Sequence, residues 1–282
     1  MSAARGNETA VRRPWLRALG ADDPPASFAW GERRFAREGV YKHDFFAATA
    51  RYVDQHGERV ILKLGRRAPF FGIPLGWVGR FVTWNEARAL YRLQGFGFVP
   101  RLVGRPDPRA LVRAYVNGTT LEPQAALRDD FFPELERALD ALHADGWAYV
   151  DLEKPENVIA GDDGKPYLCD FQISWCWPKR FGGSLWPFTW WLRVLQRADR
   201  YHLLKLRRRV APDAMSPEEL ARSRRKPWPV RVHSTLVRPL QRLRRRLLER
   251  LEPSAAANRA QQSRAERRER GRLAEDFADR PA

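Results

Sequence analysis

His143-Ala144-Asp145-Gly146-Trp147-Ala148-Tyr149-Val150-Asp151-Leu152-Glu153-Lys154-Pro155-Glu156-Asn157-Val158-Ile159, followed by Leu168-Cys169-Asp170-Phe171-Gln172, is the stretch on which the fold turns. Ahead of it, residues 131–144 place Phe131, Leu135, Leu139 and Leu142 on one face, which predicts a helix. Between its two runs, Gly161-Asp162-Asp163-Gly164 is a hairpin signal bracketed by expected strands at 157–160 and 167–170. Singly, its polar residues say little. An Asp at the start of a loop is commonly a cap, and an Asp-Phe pair carries no information. Their order carries more: helix, loop with one Asp and one Asn, hairpin, then a second Asp.

In that order the residues resemble the protein kinase-like superfamily, whose catalytic loop reads H-R-D-L-x-x-x-N and whose metal motif reads D-F-G. The resemblance implies phosphoryl transfer from ATP with Mg²⁺: Asp151 as base, Asn157 as a metal ligand, Asp170 as the main metal ligand. Three departures stand out. Tyr149-Val150 replaces His-Arg, removing the arginine that docks a phosphorylated activation loop. Asn157 lies six residues after Asp151, where five is usual. Gln172 replaces the glycine of D-F-G.

Upstream, strands are expected from Gly39: Val40-Tyr41, then 45–53, then 59–64, with a turn at Asp54-Gln55-His56-Gly57. Val60-Ile61-Leu62-Lys63 resembles the V-A-I-K strand, so Lys63 is expected to contact the nucleotide phosphates and to pair with Glu86. Residues 66–82 read as an insertion containing Gly and Pro, and a helix is expected over 83–94. Thr83-x-x-Glu86 also fits a capping box, in which Glu86 would bond back to Thr83 instead. Residues 101–103 and 111–115 read as short strands. The second of these and the hinge after it, from Leu111 to Gly118, place Tyr115 where backbone would hold adenine. The phosphate loop is degenerate: Gly39 to Phe45 holds one glycine, with Lys42 as its charge, and a plain β-turn is the competing reading.

These readings give an α+β, two-lobed protein-kinase-like fold with a shortened, mostly helical C-lobe. Residues 1–30 are expected to be a loose arm, 31–117 the N-lobe, 118–252 the C-lobe and 253–282 a disordered tail. Ser216-Pro217-Glu218-Glu219 predicts a helix start with a capping box, and 236–251 a basic helix.

Composition allows a real core, with 44% hydrophobic and 12% aromatic residues in 282. Two cysteines are too few for a disulfide framework, and no apolar stretch is long enough to span a bilayer. A cytoplasmic protein is therefore expected, without a secretory leader. The net charge of +17 is concentrated: residues 174–250 hold 20 Lys and Arg against 5 Asp and Glu. Trp175, Trp177, Trp186, Trp190 and Trp191 lie among them, and no A-P-E segment follows Asp170. Such a segment suits an anionic membrane surface at its inner face, or an ordinary C-lobe core with a solvated arginine face.

The best family match is the atypical bacterial type that phosphorylates Kdo or heptose sugars of lipopolysaccharide core. It implies a hydroxyl-bearing, lipid-anchored sugar as acceptor. RIO-type protein kinases are the alternative enzyme. A pseudokinase or nucleic-acid-binding module, using the arginine-rich 236–251, is the alternative of another class.

Overall fold

The computed structural model describes residues 14–122, 127–177, 186–225 and 227. The chain divides into one unit, Met1–Arg225, and a second, Lys226–Ala282. The expected basic helix at 236–251, the tail and part of the basic aromatic segment lie outside the described residues.

The first lobe is a six-stranded antiparallel sheet with one helix. Its strands are β1 (Ser27–Trp30), β2 (Arg33–His43), β3 (Ala47–Asp54), β4 (Arg59–Gly65), β5 (Leu102–Gly104) and β6 (Ala110–Ala114); α1 (Gly76–Arg92) lies between β4 and β5. The order across the sheet is β1-β2-β3-β4-β6-β5. The sheet curls until its edges approach: a Cβ on Gly104 of β5 would lie 2.1 Å from the Trp30 ring of β1. Phe35, Ala48, Ala50, Tyr52, Val60, Leu62, Leu64, Ala110 and Val112 fill the inside of the curl. Alternation along β4 sends Val60, Leu62 and Leu64 there, and Ile61, Lys63 and Gly65 to the opposite face. The β3–β4 turn closes on Asp54, whose Oδ1 accepts the His56 and Glu58 N–H groups.

Two expectations about this lobe are corrected. The arm is not loose where it is described. Ser27–Trp30 pairs with β2 around the Gly31-Glu32 turn, where Gly31 takes φ +60°. Before it, Ala18 is fully buried and its carbonyl accepts from Arg67 and Ala68. The alternation of Ser27–Trp30 is only four residues long and follows Pro24-Pro25, so it carries little periodic signal. Residues 66–82 are not wholly an insertion either, because α1 begins at Gly76. Pro74, Gly76 and Gly79 read as loop residues, yet Gly79 is there for contact. A Cβ on it would stand 2.2 Å from the Arg66 carbonyl oxygen, and one on Gly65 would stand 2.4 Å from that of Gly79. Helix and strand meet backbone to backbone at this point.

Arg66, fully buried behind the β2–β3 turn, has carbonyl partners. It donates to Phe45 O at 2.8 Å, Trp15 O at 2.7 Å and Pro69 O at 3.0 Å, and its guanidinium lies 3.9 Å from the Phe45 ring centre. Burial holds its pKa below the usual arginine value.

The second lobe holds β7 (Gly118–Thr120), α2 (Phe131–Ala144), β8 (Trp147–Ala148), β9 (Val158–Gly161), β10 (Pro166–Leu168), β11 (Trp175–Cys176), α3 (Phe188–Val210) and α4 (Pro217–Arg224). Its strands form two small sheets, β10-β9-β7 and β11-β8. The helix expected at 131–144 and the Ser216–Glu219 capping box are both present. One apolar cluster joins Ala87 and Leu90 of α1 and its C-cap Leu93 to Leu135, Leu139, Trp147, Phe171, Leu203 and Leu206. It locks α1 against the second lobe, at roughly 1.5–3 kcal/mol per large buried side chain.

Candidate functional site

Lys63 is the only charged side chain on β4's inner run, and it is buried. Its Nζ lies 2.5 Å from Glu86 Oε2 of α1 and 2.8 Å from Asp170 Oδ1, which reaches in from the second lobe. Burial pulls the Lys63 pKa down, but the two carboxylates outweigh burial and hold it above the ordinary lysine value. For Asp170, burial works upward and is outweighed by Lys63, so its carboxyl stays below the usual range. Glu86 is driven upward by burial, with the Asp170 charge adding to it against Lys63. The capping-box reading of Thr83 and Glu86 is overturned. Thr83 sits mid-helix, with Oγ1 donating to Gly79 O at 2.8 Å, and the helix N-cap is Leu75.

The loop carrying Asp151 is anchored by a residue the sequence reading missed. Asp199 of α3 is fully buried. It accepts the Tyr149 N–H on Oδ2 and the Val150 N–H on Oδ1, both at 2.7 Å, and sits 3.1 Å from His143 Nε2. Val150 holds φ +74°, a left-handed conformation that is costly for a β-branched residue. The carboxylate clamp offsets that strain. Asp170 shares the left-handed conformation, at φ +64°.

Past Val150, Asn157 donates Nδ2 to Asp151 Oδ2 and to Asp151 O, each at 3.1 Å, and closes the longer loop on itself. Lys154 Nζ, also missed, lies 2.6 Å from Asp151 Oδ2. It keeps its charge against burial because Asp151 is beside it. The Cys169 N–H donates to Asn157 O at 2.9 Å, which brings Asn157 next to the residue preceding Asp170. Asn85 ties α1 to the segment after Asp170: its Nδ2 donates to the Gln172 and Ser174 carbonyls at 3.0 Å.

No family model matches the chain. Serine/threonine-protein kinase 16 of Mus musculus is 50% identical over 36 residues, 13% of this chain and 12% of that protein. The Rio2 kinase from Chaetomium thermophilum, solved as an ADP/Mg²⁺–phosphoaspartate complex, covers 70% of this chain at 13% identity and a TM-score of 0.47. The chain spans 61% of that structure's length. Apart from that likeness, the geometry is the α+β, two-lobed arrangement expected of a protein-kinase-like fold. A curled antiparallel sheet with one helix, a strand lysine paired to a helix glutamate, and two loop carboxylates from a helical second lobe are its parts here.

The expected phosphate loop and Tyr115 sit differently from their reading. Gly39 lies inside β2, with open space where a Cβ would go, so no neighbouring protein atom demands glycine there. The turn after β2 is instead Asp44-Phe45-Phe46, where Asp44 Oδ1 accepts the Phe46 and Ala47 N–H groups. Lys42 pairs with Asp44 at 3.0 Å and still lowers the Asp170 carboxyl through its charge. The Tyr115 N–H goes to Arg59 O at 3.3 Å, and its ring lies 5.6 Å from the Arg51 guanidinium. That N–H is committed to the sheet and is not a free donor for a base.

A magnesium ion fits the donor set. Asp170 offers a carboxylate held ionised, and Asn157, whose amide N–H₂ faces Asp151, keeps its carbonyl oxygen for a cation. One or two protein oxygens plus phosphate oxygens is how Mg²⁺ is usually held at a nucleotide. Among the described residues no helix is long and apolar enough to cross a membrane.

Proposed function

We propose that this protein is an ATP-dependent phosphotransferase acting on a hydroxyl. The observation that carries the reading is the division of labour between two carboxylates. Asp170 is drawn to Lys63 on the nucleotide side, while Asp151 is held apart by Asn157 and Lys154. Mg²⁺, when bound by Asp170 and Asn157, supplies charge neutralisation for the phosphates. Lys63, oriented by Glu86, places its ammonium for the nucleotide phosphates. Asp151 takes the acceptor's hydroxyl proton as the acceptor oxygen bonds to the γ-phosphorus and the bond to the β-phosphate oxygen breaks, releasing ADP. Lys154 sits beside that step and offsets charge on the transferring group.

The acceptor in this reading is a lipopolysaccharide-core sugar or another membrane-associated hydroxyl compound, and the enzyme works peripherally at the inner face of the membrane. The short second lobe and the basic, aromatic residues from Ser174 onward support that choice. Two variants test the chemistry. Mg-ATP should raise the melting temperature of the parent and not of Asp170→Ala. Asp151→Asn should lose phosphoryl transfer by a factor of about 10² or more while still binding Mg-ATP. Undiminished stabilisation in Asp170→Ala, or undiminished turnover in Asp151→Asn on a panel of core sugars, lipids and proteins, removes the corresponding role.

A further inference from the structure

The helix that supplies Glu86 presents an unusual outer face. Trp77, Phe81, Trp84 and Tyr91 of α1 are 67, 56, 45 and 70% exposed. At a helical 100° per residue they fall, with Arg88, within roughly 80° of arc, and Arg80 and Arg92 mark the two edges. Glu86, the only acid in α1, is on the opposite side, buried against Lys63. The stripe runs for about 20 Å along the helix. Just upstream, Phe71 and Ile73 stand 71 and 59% exposed in a turn closed by the Phe70–Ile73 bridge. At its other end, the Arg88 guanidinium lies over both the Trp84 and Trp147 rings, and the strand paired with Trp147 carries the exposed Trp175.

A face of this size has no reason to stay in water. Its chemistry selects the occupant. Large amphipathic aromatics flanked by arginines, with no exposed acid on the helix, match the headgroup layer of an anionic bilayer, where indole rings sit at the boundary and guanidinium groups meet lipid phosphate. We propose that α1 and the Phe71–Ile73 turn form a membrane-docking surface for anionic lipid on the first lobe. Docked in this way, the helix lies along the membrane with Glu86 turned inward toward Lys63. The proposal does not rest on phosphotransferase activity, because lipid binding is read without nucleotide.

The test is sedimentation of the full chain with vesicles of phosphatidylcholine containing one-third phosphatidylglycerol, and with phosphatidylcholine alone. The parent should partition onto the anionic vesicles, and the triple variant Trp77→Ser, Phe81→Ser, Trp84→Ser should bind them at least tenfold more weakly. Unchanged circular dichroism shows that the variant is folded. Should it unfold, Trp77→Ser with Phe71→Ser, both highly exposed, is the substitute and should weaken binding several-fold. Binding of either folded variant equal to the parent overturns the proposal. So does a parent that ignores anionic vesicles yet dimerises in solution through a contact the triple variant abolishes, since the stripe would then be covered by a second copy.

Discussion

Two non-glycine residues at the site, Val150 and Asp170, hold left-handed backbone: the first leads into the Asp151 carboxylate, and the second carries its own. For Val150 the restraint is visible: Asp199 takes both N–H groups of the turn. Asp199→Asn keeps the shape but leaves one acceptor oxygen and turns an amide N–H₂ toward a backbone donor. A loss of about 1–3 kcal/mol is expected, measured by urea unfolding. Phosphoryl transfer should fall further than Mg-ATP affinity, because the clamp orients Asp151 and not the nucleotide residues. Equal losses in both would make Asp199 merely structural. Asp151, Asn157, Asp170 and Lys63 were legible because each lies inside a short local pattern. Asp199 was not: it is 50 residues from Tyr149 and reads as one more polar position on an arginine-rich helix.

The Lys63–Glu86 pair is a property of two elements and how closely they approach. Gly65 lies two residues beyond Lys63 on the same face of β4. Gly79 lies two helical turns before Glu86 on the same side of α1. Their backbone contact sets the height at which lysine meets glutamate. Gly79→Ala should therefore force α1 outward, cost about 1–3 kcal/mol and weaken Mg-ATP binding, as read by calorimetry. Gly39→Ala is the contrast. With open space and no positive φ, it should leave both stability and affinity near the parent's, although Gly39 stood in the expected phosphate loop. A large affinity loss there would restore the glycine's role. The strands and α2 could be read because their periodicity is local. The start of α1 could not, because the glycines that end most helices are here the surface that packs.

The whole chain's response to acid depends on where its first described segment is tied down. His43 closes β2, receives the Leu19 N–H at 3.2 Å and lies 2.6 Å from the Arg17 guanidinium. Burial, then the Arg17 charge, push its pKa down to about 4 from an ordinary 6.5. Between those values the unfolded chain binds a proton that the folded chain refuses. The His43 contribution to stability is therefore complete above about pH 6.5 and lost as pH falls toward 4, at no more than about 1.4 kcal/mol per pH unit. His43→Gln should flatten that limb in pH-resolved thermal melts. A limb as steep as the parent's would assign it to carboxylates instead.

Arg66 adds something that no count of surface charge describes. Peptide carbonyls accept from both terminal nitrogens of its guanidinium and replace part of the water it has lost, while its buried Nε has no hydrogen-bond partner among the described residues. No salt bridge to an acid is among its contacts in the described residues. Carbonyl dipoles orient around a cation without cancelling its net charge, and mobile ions cannot reach a fully buried one. The β2–β3 turn thus rests on a permanent electrostatic potential built into the protein interior. An anion approaching that turn through water feels this charge only within a Debye length, roughly 8–10 Å at physiological salt, yet it meets a full positive charge where a glycine loop would offer only its amide dipoles.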